Sequence, residues 1–313
     1  MNRRFQVLFV LLSACVLTLR AQWDVQFTDF TTLRSYYNPA VSGTDGKLNV
    51  AATYSVQMGG YDDAPQSLFV GVDLPAWFLS ARHGVGVSFF TDNAAIFSST
   101  KIGLQYAYNL KLGKKGRLAI GMAGGMLSAK AEKNKMELED NSDPAFPSAS
   151  QKGNKIDLGG GLYYYHPKMW FGISGQHLLA PTIHLGQTND LELKRVFYLM
   201  GGCNIKFKNS LISLQPAFLV QSDFAAWRED VQCKVVYEKN EKKFYGGVGY
   251  SPNTSATLLL GGVFHGIKLG YSYQLYTGGV GAVNGSHEAV LSYQTDLDMF
   301  KKGRNKHQSV RWL

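Results

Sequence analysis

Long segments of alternating apolar and polar residues are the feature that most restricts what this chain can fold into. Segments 101–111, 155–164 and 266–275 each place large apolar side chains at every second position, with polar or small residues between them. Successive side chains of a β-strand point to opposite faces, so each segment is predicted to be a strand with one apolar face.

The length of these segments separates two all-β folds that share the pattern. A soluble β-sandwich also alternates, but many segments here run for about 10–14 residues, against the usual 5–6 of globular strands and the 9–11 that a tilted strand needs to cross a bilayer. Aromatic residues cluster at segment ends, as at 163–165, 170–171 and 244–245. The sequence therefore predicts an all-β, transmembrane antiparallel β-barrel.

The expected barrel has about 14 strands, an even number as in bacterial single-chain barrels. A sheet in hydrocarbon must close, because no water satisfies the backbone groups of an open edge. The predicted strands are 47–58, 66–74, 82–91, 100–111, 117–130, 153–165, 168–180, 192–206, 210–221, 227–238, 242–251, 254–263, 266–275 and 286–294.

The predicted connections alternate between short and long, as in barrels with short periplasmic turns and longer outer loops. Links at 112–116, 166–167, 207–209, 239–241 and 264–265 are short, and the link at 75–81 is slightly longer; the links 131–152, 181–191 and 276–285 are long. The short link at 252–253 is the exception. Loop 131–152 is polar and would be either a solvated outer loop or a binding element.

The N-terminus has the pattern of an export signal: Arg3 and Arg4 precede a short apolar stretch. Cleavage after Ala21, which we favour, competes with lipidation at Cys15. We expect a signal peptide at 1–21, a periplasmic N-terminal segment at 22–46 that could alternatively plug the lumen, the barrel at 47–294, and a basic periplasmic tail at 295–313. Cleavage would reduce the formal charge from +9 by the three arginines of the leader.

Catalytic and metal-binding patterns are weak in this sequence. Ser286, His287 and Glu288 are adjacent on a strand, so their side chains cannot all converge, and the histidines lack partners at ligand spacing. The glycines at 246, 247 and 249 lie inside a strand with no following helix, so they are not a dinucleotide loop. We expect no enzyme, cofactor or metal, and an exported chain is not expected to bind nucleic acid.

Charged and sulfur-bearing residues of the strands also have predicted positions. A charge that faces lipid at mid-membrane costs about 2–4 kcal/mol, so strand lysines should point into the lumen; these are Lys155, Lys194, Lys206, Lys234 and Lys268. Such a lumen could select anions or simply be polar. Cys203 and Cys233 could form a disulfide, but two separate lipid-facing thiols fit their strands better, because these strands are not adjacent.

Four short motifs, in order along the chain, resemble the PorP/SprF family. They are Tyr37-Asn38-Pro39-Ala40 with Gly43 and Thr44, then Pro65 leading into the second strand, then 106–110, and then 286–293 with His287 and Glu288. The resemblance spans almost all of the chain after the leader. Ser55-Val56-Gln57-Met58 lacks the Arg and Trp that the family usually has at this place.

The resemblance implies an integral outer-membrane subunit of the type IX secretion system of the Bacteroidetes. It implies three kinds of partner: a PorK/PorN-like periplasmic ring, a peptidoglycan-binding PorE-like protein, and secreted cargo with a C-terminal signal domain. We expect Lys301, Lys302, Arg304 and Lys306 of the tail to contribute to periplasmic docking. The competing interpretations are an outer-membrane porin or transporter for small solutes and, with less support, an outer-membrane enzyme.

Overall fold

The computed structural model describes residues 24–61, 63–76, 83–132, 150–185, 189–208, 211–240, 242–278 and 285–296. The leader, most of loop 131–152 and the tail beyond 296 lie outside these ranges, so the expectations for them are untested. Among the described helices, none is both long and apolar enough to cross a membrane.

The described residues form two short helices followed by strands. Helix α1 spans Arg34–Tyr37, and a 3-10 helix spans Pro39–Val41. The strands are β1 Lys47–Val56, β2 Gln66–Ala76, β3 His83–Ala94, β4 Phe97–Leu112, β5 Gly116–Ala131, β6 Gln151–His166, β7 Met169–Gln176, β8 Thr182–Leu185, β9 Asn189–Glu192, β10 Val196–Cys203, β11 Ile205–Lys206, β12 Ile212–Ser222, β13 Trp227–Lys239, β14 Lys242–Ser251, β15 Ser255–Phe264, β16 Ile267–Tyr276 and β17 Ser286–Asp296.

The sheet closes on itself, which confirms the predicted barrel. From β1 to β7 and from β12 to β17 each strand pairs antiparallel with the next. The ring is completed because β7 pairs with β10, β10 and β11 pair with β12, and β1 pairs with β17 from Lys47↔Asp296 to Val56↔His287. If β10 and β11 are counted as one interrupted strand, the barrel has 14 strands. Closure satisfies the backbone groups of both terminal strands, as hydrocarbon requires.

The two faces of the wall follow the predicted alternation. On β4 the outward side chains of Ile102 and Leu104 are 55% and 65% exposed, whereas Ala107 and Asn109 on the inward face are buried. The same holds on β16, where Leu269 is exposed and Ser272 is buried. The barrel thus presents an apolar outer wall to the membrane.

The barrel has two unlike ends. At the short-turn end, where β1 begins and β17 finishes, the turns are tight, as at 113–115, 167–168 and 265–266. At the long-loop end lie the connections 57–65, 132–150, 177–195 and 277–285. Short and long connections are separated less completely than predicted, because the connections 95–96, 223–226 and 252–254 at the long-loop end are also short. The first of these is short because β3 and β4 extend further than the sequence pattern predicts.

One predicted loop contains extra structure. The sequence predicts a strand over 168–180, a link over 181–191 and a strand over 192–206. In the structure β7 ends at Gln176, and the link contains the hairpin β8–β9. Ile183 and Leu185 of this hairpin pack against Leu127 and Ala129, which lie on the inward face of β5. Apolar burial across the long-loop end of the lumen therefore determines the fold of this segment.

Pro216 explains the interruption between β10 and β11. Gly202 pairs with Ala217 and Ile205 pairs with Leu214, but Cys203, opposite Pro216, has no pairing partner on β12. The N–H of Asn204 donates to Lys168 O on the β7 side at 2.8 Å, so the backbone groups of Cys203 face β12. Proline has no N–H to offer there, and one ladder bond is missing.

Candidate functional site

Residues 24–46, hereafter the plug, lie inside the barrel. Their side chains contact inward-facing residues of strands around the whole ring, and Phe27, Leu33 and Tyr37 are completely buried. The sequence predicts either a periplasmic segment or a plug in the lumen. The described part of the segment lies in the lumen. The segment lies in the lumen because its apolar residues Phe27 and Leu33 pack with Phe69, whose side chain faces inward from β2 in an otherwise polar wall.

Tyr37 and Asn38 join the plug to the wall and to itself. The hydroxyl of Tyr37 accepts a hydrogen bond from the N–H of Phe27 at 2.9 Å, and its ring packs edge-on against Tyr198 of β10 with centroids 5.4 Å apart. The side-chain amide of Asn38 donates to Leu162 O on β6 at 2.9 Å, while its oxygen accepts from the N–H of Ala40. Burial raises the pKa of Tyr37 well above its usual value, so it stays a neutral hydroxyl.

Pro39, Ala40 and Gly43 fit the plug closely against the wall. Pro39 begins the 3-10 helix, and an added Cβ at Gly121 of β5 would lie 2.3 Å from the backbone of Ala40. Gly43 has φ +66°, a conformation that favours glycine, and its N–H donates to the carboxylate of Asp73 at 2.7 Å. Small residues on both partners therefore allow backbone-to-backbone contact.

Thr44 and Ser42 complete this turn. The Thr44 hydroxyl donates to Val41 O at 2.7 Å, and the Ser42 hydroxyl donates to the side chain of Gln105 on β4 at 2.7 Å. The family-like motif at residues 37–44 is thus a plug-to-wall contact, and the described contacts place none of its residues in a catalytic arrangement.

A buried ion cluster holds the middle of the plug. Asp29 Oδ1 lies 2.5 Å from Lys234 Nζ, Asp29 Oδ2 lies 3.3 Å from Lys268 Nζ, and the side chains of Asp29 and Lys234 are 3% and 5% exposed. Burial opposes ionisation of Asp29, but the two lysines outweigh it and hold the pKa of Asp29 well below its ordinary value. Both ammonium groups also lie over the ring of Tyr245, at 5.0 and 4.7 Å. Lys234 and Lys268 face the lumen as predicted.

Glu288 contributes to the same region, and its sequence neighbour does not. The Glu288 carboxylate accepts hydrogen bonds from the N–H groups of Thr28 at 2.6 Å and Asp29 at 2.9 Å. His287 points outward, where its Nδ1 lies 2.6 Å from the hydroxyl of Tyr271. This opposite placement confirms that Ser286, His287 and Glu288 do not converge. Pro65 lies apart from the plug, in the β1–β2 connection, where its carbonyl accepts from Gln57 N.

A second buried ion cluster lies where the plug reaches the long-loop end. The ring of His177, just beyond β7, lies 2.9 Å from Asp24 and 3.1 Å from Asp157, and Lys101 lies 2.6 Å from Asp157. Burial opposes protonation of His177, but Asp24 outweighs it and raises the His177 pKa to about 9. The imidazolium and the Asp24 carboxylate therefore coexist at neutral pH.

The lumen is open at its short-turn end. A cavity of about 450 Å³, hereafter the vestibule, lies between the plug and the wall there. Among its lining residues are Arg34, Asp45, Lys243, Lys268 and Gln294. In the part of the chain that the structure describes, apolar packing by Phe27 and Phe30 closes the way beyond it.

The short-turn end also carries a dense set of lysines, hereafter the basic rim. Eight exposed lysines lie on its turns and strand ends: Lys111, Lys114, Lys115, Lys168, Lys206, Lys208, Lys239 and Lys242. Lys243 and Glu238 nearby form an ion pair at 3.1 Å. Acidic residues are more frequent at the other end, for example Asp190, Glu192, Asp223 and Glu229. The charge asymmetry makes the short-turn end attractive to acidic surfaces.

Several other predicted positions have a structural outcome. Lys194 is not on a strand: it follows β9 and pairs with Asp223 at 3.5 Å. Lys155 and Lys206 are exposed near strand ends. Cys203 and Cys233 are free thiols, on β10 and β13 with β12 between them. Lys301, Lys302, Arg304 and Lys306 lie outside the described residues. In the described chain no cluster of three metal-ligating side chains occurs.

Sequence reasoning missed the acidic partners of the lumen charges. Asp24 and Asp29 lie in a segment without strand periodicity, and His177 has no partner nearby in sequence, since Asp157 lies on another strand. The usable signal was the pair of inward lysines, Lys234 and Lys268, because buried cations need counter-charges.

Comparison with known proteins agrees with this architecture. A family model described as type IX secretion system membrane protein PorP/SprF matches residues 19–293. No curated protein matches the chain. Among solved structures, the toluene transporter TodX of Pseudomonas putida aligns with 88% of this chain and 95% of its own at 10% identity, TM-score 0.49. Omp33 of Acinetobacter baumannii aligns with 80% and 98% at 5% identity, TM-score 0.45. These likenesses concern the barrel fold alone.

Proposed function

This chain belongs to the PorP/SprF family of type IX secretion system membrane proteins, and we propose that in the outer membrane it anchors periplasmic components of that system through its short-turn end. In this proposal the barrel holds a docking surface at a fixed depth, and partners bind the basic rim and the mouth of the vestibule. Export or surface attachment of cargo then depends on that attachment.

The observation that carries the proposal is the concentration of exposed lysines at one end. Short turns belong to the periplasmic side of outer-membrane barrels, so the basic rim would face the periplasm. Lysines on tight turns such as 113–115 are held close to the wall. Because all of them are cations, they form no ion pairs with one another. A partner with an acidic surface would gain both steering and complementarity there. A PorK/PorN-like ring and a PorE-like peptidoglycan-binding protein are the partners we propose.

The plugged lumen supports an anchor over a porin. Phe27, Phe30 and the Asp29 cluster occupy the centre of the barrel, and a solute path would require that buried ion pairs separate. We therefore expect no steady conductance from the purified protein in planar bilayers. A stable, reproducible open conductance would favour the transporter interpretation instead.

The test is cross-linking in intact cells followed by identification of periplasmic partners. Charge reversal of four rim lysines, K114E, K115E, K239E and K242E, should reduce the yield of cross-linked periplasmic partner by at least tenfold and lower cargo secretion. The matched control is K152E with K155E at the long-loop end, which should leave the yield unchanged. An equal yield from wild type and rim variant, with both barrels inserted, would remove the rim from the docking surface.

A further inference from the structure

An apolar groove of about 700 Å³ runs across the outer wall at the interrupted strand. The groove is deep because the outward positions at its floor carry glycine, cysteine or proline, namely Gly201, Cys203, Pro216 and Cys233. Its sides are the taller Phe171, Phe218, Val248 and Tyr250. The aromatic rings of the exposed Phe171 and the half-buried Phe218 lie 6.5 Å apart, centroid to centroid.

The backbone geometry accounts for the depression. An added Cβ at Gly201 would lie 2.7 Å from the Phe218 ring, so a larger residue would fill the space that the ring bounds. Near Gly201, one backbone hydrogen bond is missing between Cys203 and Pro216, because proline has no N–H to donate. Small outward residues recur on three neighbouring strands, so the groove is a continuous depression in a wall that elsewhere carries Leu, Ile and Met.

Polar chemistry lies at one end of the groove. Met169 and Cys203, which pair with each other, mark its short-turn end. The adjoining turn residues Lys168 and Lys208 are both exposed. The site thus combines an apolar channel with cations at the level of the membrane surface.

We infer that this groove is a binding site for one anionic phospholipid of the leaflet at the short-turn end. The acyl chain lies between Phe171 and Phe218 on the small-residue floor, and the phosphate-bearing head group contacts Lys168 and Lys208, which lie on turns. The occupant is a lipid because the groove opens onto the membrane-facing wall. The head group is anionic because the cations Lys168 and Lys208 adjoin this end of the groove. The inference does not depend on the proposed function.

The test uses two photoactivatable lipids with the same diazirine-bearing acyl chain, phosphatidylglycerol and phosphatidylcholine, in proteoliposomes of the full mature chain. Adducts are mapped by peptide mass spectrometry. We expect phosphatidylglycerol adducts within 199–220 to exceed phosphatidylcholine adducts at least fivefold, with no such preference on strands across the barrel. Similar adducts of both lipids spread around the barrel would mean a non-specific annular shell and overturn the inference.

Two pairs of variants separate the head-group and acyl-chain contacts. The double variant K168E and K208E should abolish the preference for phosphatidylglycerol, whereas K114E and K115E on another turn should keep it. Cys233→Trp fills the groove and should lower adducts there at least threefold, whereas Val235→Trp, two residues along the same outward face, should not. Equal effects within either pair would contradict the assigned site; circular dichroism and heat-modifiability confirm folding of each variant.

Discussion

The carboxylate of Asp29 in the plug and the ammonium of Lys234 on β13 form a buried ion pair, with Oδ1 and Nζ 2.5 Å apart. These residues are separated by about two thirds of the chain, and Lys268 on β16 approaches the same carboxylate at 3.3 Å. The pair therefore connects the plug to two strands of the far wall. It is one of the contacts that hold the plug in the lumen.

Asp29→Asn should destabilise the plugged barrel. The amide preserves shape but leaves Lys234 buried without its ion-pair partner, and breaking a buried pair from one side costs about 3–5 kcal/mol. We expect a lower midpoint in guanidinium unfolding in detergent and intermittent conductance in planar bilayers. The control is Asp190→Asn, which removes an exposed pair with His184 and should change neither. A silent, fully stable Asp29→Asn protein would show that the cluster does not hold the plug.

Gly84→Ala should disturb the entry of the plug into the barrel. An added Cβ at Gly84 would lie 1.9 Å from Ser42 O, so the turn around Gly43 must shift. Overpacking of this kind costs about 1–3 kcal/mol, measured as a drop in unfolding free energy and as faster proteolysis within 24–46. Gly246→Ala is the matched change on an outward face, where the nearest atom is Leu260 Cδ2 at 3.7 Å. Equal stability of the two variants would contradict the close contact.

The His177–Asp24 pair predicts a loss of stability at alkaline pH. The His177 pKa is raised from 6.5 to about 9, so its contribution is complete below pH 6.5 and disappears as the pH rises through about 9. Asp24 has a lowered pKa, so its contribution disappears as the pH falls below 3.8. The facing groups are Asp157 and Lys101, the latter opposing protonation of His177. Thermal midpoints from pH 5 to 10 should fall most between pH 6.5 and 9 in the wild type.

His177→Gln supplies the control for this pH effect. The variant should be less stable near neutral pH and show a flatter alkaline limb. His184→Gln changes an exposed histidine at the same end and should leave the wild-type profile intact. An identical alkaline limb in wild type and His177→Gln would assign the effect to other groups.

Removal of residues 297–313 should leave a heat-modifiable barrel and weaken periplasmic pull-down. Closure ends with β17, so the barrel keeps its pairing with β1, while Lys301, Lys302, Arg304 and Lys306 are lost. Because screened charges attract over about 8 Å at physiological salt, the difference between full-length and truncated protein should shrink in high salt. A pull-down that is equal for both proteins at low salt would remove the tail from the docking surface.

Much of the barrel wall was predictable because its determinants are local. In 101–111 and 266–275 the choice of face at every second residue follows from the cost of placing a charge in lipid, and that cost acts on each strand separately. Closure of the sheet was also predictable, because an open edge in hydrocarbon would leave backbone N–H and C=O groups unpaired. The inward position of Lys234 and Lys268 could be predicted from this alternation alone.

The contents of the lumen and the groove in the wall were decided only by the tertiary structure. Asp29 meets Lys234, and Asp24 meets His177 and Asp157, only when the ring of strands closes around the plug, because these pairings join residues far apart in sequence. Ile183 and Leu185 form a hairpin because Leu127 and Ala129 offer an inward apolar surface that alternation did not reveal. Local patterns assign a side chain to a face, but a partner on that face depends on strand register and closure, which are properties of the whole ring.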